Sequence, residues 1–125
     1  MITVRLPLRL VSEANARDGW RAAHGRAQEQ RGLVRMALGL RPIRPPCHCW
    51  ITRIGPRRLD GDNLQRACKA VRDGVADALG IDDGSEAVTW AYDQRKPLPG
   101  ERDLLGKPGG RAAERYGVII QLLYA

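Results

Sequence analysis

Apolar and polar residues alternate along residues 2–10, ITVRLPLRL, placing Ile2, Val4, Leu6 and Leu8 on one face. A period of two is the mark of a half-buried strand, and Pro7 places that strand at a sheet edge or bulge. Residues 16–38 contain no proline, and Ser12 or Asn15 stands ahead of them as a helix cap. The apolar positions of this second segment, Trp20, Leu33, Val34, Met36 and Leu38, leave a polar middle, so the helix is expected to be irregular at its start. Pro42, Pro45 and Pro46 end it, and residues 47–55 predict a second strand. Gly55-Pro56 then opens a loop carrying Arg57 and Arg58.

The strongest helical pattern spans residues 62–79. Leu64, Ala67, Cys68, Val71, Val75, Ala78 and Leu79 fall on one side at 100° per residue. Asp62, Arg66, Lys69, Asp73 and Asp77 fall within about 80° on the other side. Asp62 or Asn63 caps the helix and Gly80 stops it. Asp82-Asp83-Gly84-Ser85 is a turn. Residues 86–96 alternate again, with Val88, Trp90 and Tyr92 on one face, and predict a third strand. The Pro- and Gly-rich residues 97–114 predict a mobile basic loop, and residues 115–124 a fourth strand. The order β-α-β-α-β-β makes residues 1–125 one α/β domain, a small mixed sheet with two helices packed on it.

Size and composition agree with this. The chain has 125 residues, 43% of them hydrophobic and 28% charged, which fits one globular domain that can bury a core without crosslinks. No apolar run approaches the ~18–20 residues of a membrane helix. Arg5 and Arg9 interrupt the apolar start, which excludes a signal-peptide core. Three cysteines without framework spacing argue against a disulfide-stapled secreted domain, so a cytoplasmic location is expected. Cys47-His48-Cys49 resembles a metal motif. On a strand, however, the two thiols point away from the imidazole, and no zinc spacing links them to Cys68 or His24.

Charge sharpens the picture. The net +7 implies a polyanionic partner, nucleic acid foremost. It divides into +9 over residues 1–58, −5 over 59–93 and +3 over 94–125. Eight carboxylates in the middle block repel one another unless cations answer them, which suggests a divalent-metal site inside a polyanion-binding surface. Asp60 and Asp62 flank one residue at the helix start, with Arg66 and Lys69 on the same helix face as Asp62. Asp82 and Asp83 follow the helix end. A helix of this length, about 25 Å, separates the two groups. A strand running back along the helix would return other residues to its start, and bringing Asp83 there needs a bent or shorter helix.

Residues 59–85, LDGDNLQRACKAVRDGVADALGIDDGS, resemble the signature of the RusA-type Holliday-junction resolvases, common in phages and prophages: Asp-x-Asp-Asn-Leu, a helical Lys, then Asp-Asp before a strand. Leu6-Pro7 with Ser12 and Asn15 is similar to the family's opening, and the resemblance extends to about residue 96. It implies an α/β homodimer that cuts four-way DNA junctions in recombination and repair, by symmetric nicking with Mg²⁺ or Mn²⁺. The implied metal-holding catalytic carboxylates are Asp60, Asp62 and Asp83. Lys69 is the preferred counterpart of the family lysine, with Arg66 the alternative. Arg53, Arg57, Arg58, Arg95 and Lys96 flank the acids and are expected, with Arg66, to hold backbone phosphates. Trp50, Trp90 and Tyr92 are expected in the core rather than as base-stacking groups. The rival readings are a catalytically inactive branched-DNA-binding phage accessory protein and a nuclease for forks or flaps.

Overall fold

The second helix shows how the sequence becomes structure. In the computed structural model, which describes residues 1–12, 18–39, 47–82, 84–98 and 116–124, it runs Gly61–Leu79. The six elements are β1 (Ile2–Leu6), α1 (Gly19–Leu38), β2 (Cys47–Ile54), α2 (Gly61–Leu79), β3 (Val88–Arg95) and β4 (Gly117–Tyr124). The expected β-α-β-α-β-β order is therefore present. The strand expected over residues 2–10 ends at Leu6, before Pro7. The helix expected from residue 16 begins at Gly19 and ends at Gly39, whose φ is +66°. Asp18 rather than Ser12 stands at its N-cap, pairing with Arg26 and making no side-chain cap bond. Asn15, the prolines at 42, 45 and 46, and most of the loop expected over 97–114 lie outside the described residues.

Asp60, not Asp62 or Asn63, caps α2, accepting a hydrogen bond from the Asn63 N–H at 3.0 Å. At the other end Gly80 takes a left-handed conformation with φ +71°, and the Ile81 N–H reaches back to the Ala76 carbonyl. That is the pattern of a Schellman cap, and glycine removes its steric cost. The apolar stripe of α2 is buried as expected. A second buried row, Ala67, Ala70 and Gly74, meets α1. A Cβ on Gly74 would stand 2.7 Å from the Arg31 carbonyl oxygen, so the small residue permits the close helix crossing. Arg31 adds a two-pronged ion pair to Asp77, at 2.6 and 2.8 Å.

The strands form one mixed sheet in the order β1-β4-β2-β3. β2 and β3 are parallel and joined through α2, while β4 runs antiparallel to both β1 and β2. The buried rows Cys47-Cys49-Ile51 and Val118-Ile120-Leu122 belong to the main core with Val34, Leu38 and the stripe of α2. The thiols of Cys47 and Cys49 share this face, and His48 takes the opposite one, as pleating requires. The side of the sheet away from the core carries Thr52 and Gln121 but also Trp50 and Leu123, which are 46% and 40% exposed. Trp50 is thus on the surface, contrary to its expected core position, whereas Trp90 and Tyr92 pack against the core. No described helix is long and apolar enough to cross a membrane.

Candidate nucleic-acid and metal site

The parallel β2–α2–β3 unit sets the geometry. Both strands end at the start of α2, because a helix linking parallel strands must run opposite to them. Strand ends of this kind, beside the N-terminus of the connecting helix, are where open α/β sheets commonly bind ligands. The loop 55–60 crosses this end. Gln94, the last inward-facing residue of β3, accepts from the Leu59 N–H at 2.9 Å and donates to the Leu59 carbonyl at 2.6 Å. The Gly55 N–H donates to the Arg95 carbonyl at 3.1 Å. Asp60 follows directly and its carboxylate is fixed by the cap bond. Asp62 stands exposed in the first turn of α2.

Five of the six residues expected to hold phosphates line one cavity here, of about 120 Å³. They are Arg53, Arg57, Arg58, Arg95 and Lys96. Gly55 and Gln94 also line it, and among the described residues no carboxylate does. Arg53 differs from its expected surface role. It is 3% exposed and donates from Nε to the Leu10 carbonyl at 2.9 Å and from Nη1 to the Arg57 carbonyl at 2.8 Å. Burial lowers its pKa. Arg53 therefore braces the loop from beneath while Arg57 and Arg58 are exposed above it. A side chain at residue 55 would stand 2.9 Å from Nη2 and push this guanidinium aside, so the glycine lets the buried arginine keep its place.

Not every expected site residue converges. Asp82 lies beyond the C-terminus of α2, about 28 Å from the helix start for nineteen residues at 1.5 Å each. Asp83 lies outside the described residues. The described residues contain no group of three or more metal-ligating side chains. The described carboxylates at the helix start are the pair Asp60 and Asp62. β3 does run back along α2 as anticipated, and it brings Gln94 to the helix start. Asp93, next to it, projects to the opposite side of the sheet from Gln94.

Arg66 and Lys69 share the face of Asp62, one and two turns along α2. Lys69 is the more distant, and its Nζ lies 3.4 Å from Asp73, directed further down the helix. Arg66 is the nearer of the two to Asp62 along the helix. On the β3 side of α2, Arg72 lies over the Trp90 ring at 4.6 Å and donates to the Tyr92 hydroxyl at 3.0 Å, pinning the helix to the strand. Two residues important to the site escaped sequence reasoning, Gly55 and Gln94. Gln94 carried a signal: it is the polar member of the inward-facing series Val88, Trp90, Tyr92, Gln94. Among known proteins, no family model and no curated protein matches the chain.

Proposed function

We propose that the protein is a metal-dependent endonuclease for branched DNA, of the type its 59–85 segment resembles. The observation that carries this reading is the juxtaposition of Asp60 and Asp62 with a cavity lined by five cations and, among the described residues, by no acid. Magnesium and manganese favour carboxylate oxygens, and Mg²⁺ commonly takes one or two carboxylates with waters and substrate phosphates. Asp60, through the oxygen its cap bond leaves open, and Asp62 fit that role. An ion held there supplies charge neutralisation at the phosphodiester and lowers the pKa of a bound water. The chain's own cations hold the flanking phosphates, and Arg66 faces the same side of α2 as Asp62, where it can balance charge on the attacked phosphate. The exposed Trp50 and Leu123, on the sheet side away from the core, offer a surface for a second copy. A two-fold dimer would match the near two-fold symmetry of a four-way junction.

One observation favours a second reading, a branched-DNA-binding protein that does not cut. Asp82 stands a helix length away, leaving the acid pair without a third carboxylate among the described residues. A synthetic four-way junction separates the two. The nuclease reading expects nicks with Mg²⁺ or Mn²⁺ that are lost in Asp62→Asn. Tight, salt-sensitive junction binding without nicking establishes the second reading instead. Forks and flaps in the same panel report whether the junction is the preferred branch.

A further inference from the structure

We propose that the cavity at the ends of β2 and β3 is a preformed receptor for one phosphodiester of the bound strand, with the buried Arg53 as its inner wall. This rests on the nucleic-acid reading for the identity of the ligand, but not for the existence of the site. Burying a guanidinium is costly unless an anion or hydrogen-bond acceptors answer it. Among the described residues Arg53 has no carboxylate partner and Nη2 has no acceptor; Nε and Nη1 meet neutral carbonyls, and the Tyr116 ring centre stands 5.9 Å from Cζ. Nη2 lies against Gly55, which shares the cavity wall with it. Four further cations surround the same space, and a phosphate inside would relieve their mutual repulsion while accepting charge-assisted bonds from the guanidinium.

The cavity, of about 120 Å³, has room for a phosphate group, and its wall is rigid. The cationic loop is held on three sides, by Gln94 on Leu59, by Arg53 on the Arg57 carbonyl and by the Gly55–Arg95 backbone bond. Its ordering is completed on folding, so little is lost when an anion enters. Only Leu59 separates Arg58 from Asp60, so anchoring one phosphate here leads the same strand past the acid pair.

The test is an NMR titration of the full-length ¹⁵N-labelled chain without metal, using inorganic phosphate, a thymidine dinucleotide with one internal diester, and 5′-phosphorylated thymidine as probes. Saturable shifts are expected at the Gly55, Arg57, Leu59 and Gln94 amides with both phosphate and the dinucleotide. Arg58→Ala, at an exposed position, should weaken both by about tenfold, the loss of one charge-assisted contact. Gly55→Ala should do the same by displacing the Arg53 guanidinium. Shifts that spread evenly over the basic surface, or that Arg58→Ala leaves unchanged, overturn the site. Binding of phosphate and the monoester without the dinucleotide overturns the backbone assignment in favour of a terminal phosphate. Because no DNA cleavage enters this assay, saturable phosphate binding by a protein that does not nick junctions would refute the nuclease and leave the receptor standing. Nicking without phosphate binding would do the reverse.

Discussion

Asp60 has two roles that ordinary mutagenesis would confound. Its carboxylate caps α2, and it is one of two proposed metal ligands. The cap bond to the Asn63 N–H is 3.0 Å long and satisfies one of the four donors left open at the helix start. Replacing such a cap by alanine costs about 1 kcal/mol, whereas serine, itself a good cap, should cost only a few tenths. Asp60→Ala should therefore lower the urea midpoint with an unchanged m-value and shift Tm by about 4 °C for a domain of this size, while Asp60→Ser stays close to wild type. Neither variant retains the carboxylate, so both should lose junction nicking by at least about a hundredfold, the scale of a few kcal/mol of metal-assisted stabilisation. Asp62→Asn separates the roles from the other direction, removing nicking with stability changed by less than about 1 kcal/mol. Equal destabilisation by serine and alanine would refute the capping argument. Full nicking by Asp60→Ser would refute the ligand assignment without touching the cap.

Four other outcomes follow from the packing. Gly74→Ala should lose about 1–2 kcal/mol, overpacking outweighing its helix-propensity gain, whereas Gly25→Ala on α1, with open space around it, should gain up to about 1 kcal/mol; chemical denaturation showing the same sign for both would contradict the tight crossing. The hydrogen-bonded Arg31 guanidinium lowers the Asp77 pKa. Its stabilisation is then complete above the usual carboxylate value of about 3.9 and fades as pH falls through the lowered folded value. At 24% and 46% exposure, the pair's loss in Asp77→Asn should be only about 0.5 kcal/mol at pH 7, vanishing in urea melts near pH 2. Burial pushes the Cys49 and Cys68 thiols up to about 12, so iodoacetamide at pH 8 should leave both unmodified by mass spectrometry until denaturant is added. If Trp50 joins two copies, light scattering should give a dimer for wild type and a monomer for Trp50→Glu, and a monomeric wild type would remove that surface from the proposal.

Local patterning by itself determined the element order, the apolar stripe of α2, the glycine that ends it and the gathering of acids into one block. These follow from side-chain periodicity and backbone conformational preference, which neighbouring residues settle among themselves. It also showed that Cys47 and Cys49 oppose His48, because pleating is local. Tertiary structure decided the rest. Trp50 and Ile51 are both apolar strand neighbours, and only the placement of the helices on one side leaves Trp50 exposed and Ile51 buried. Arg53 reads as one more surface cation until the sheet buries it and the Leu10 and Arg57 carbonyls meet it. Asp82 and Asp62 are close in charge pattern, yet the straight nineteen-residue helix holds them apart. Gln94 and Leu59 are thirty-five residues apart in the chain and meet only because parallel pairing returns β3 to the start of α2. The basic frame and acidic insert were written in the sequence, but which acids and which cations share one place depends on contacts between distant segments, and those are chosen by the sheet order and the helix crossing.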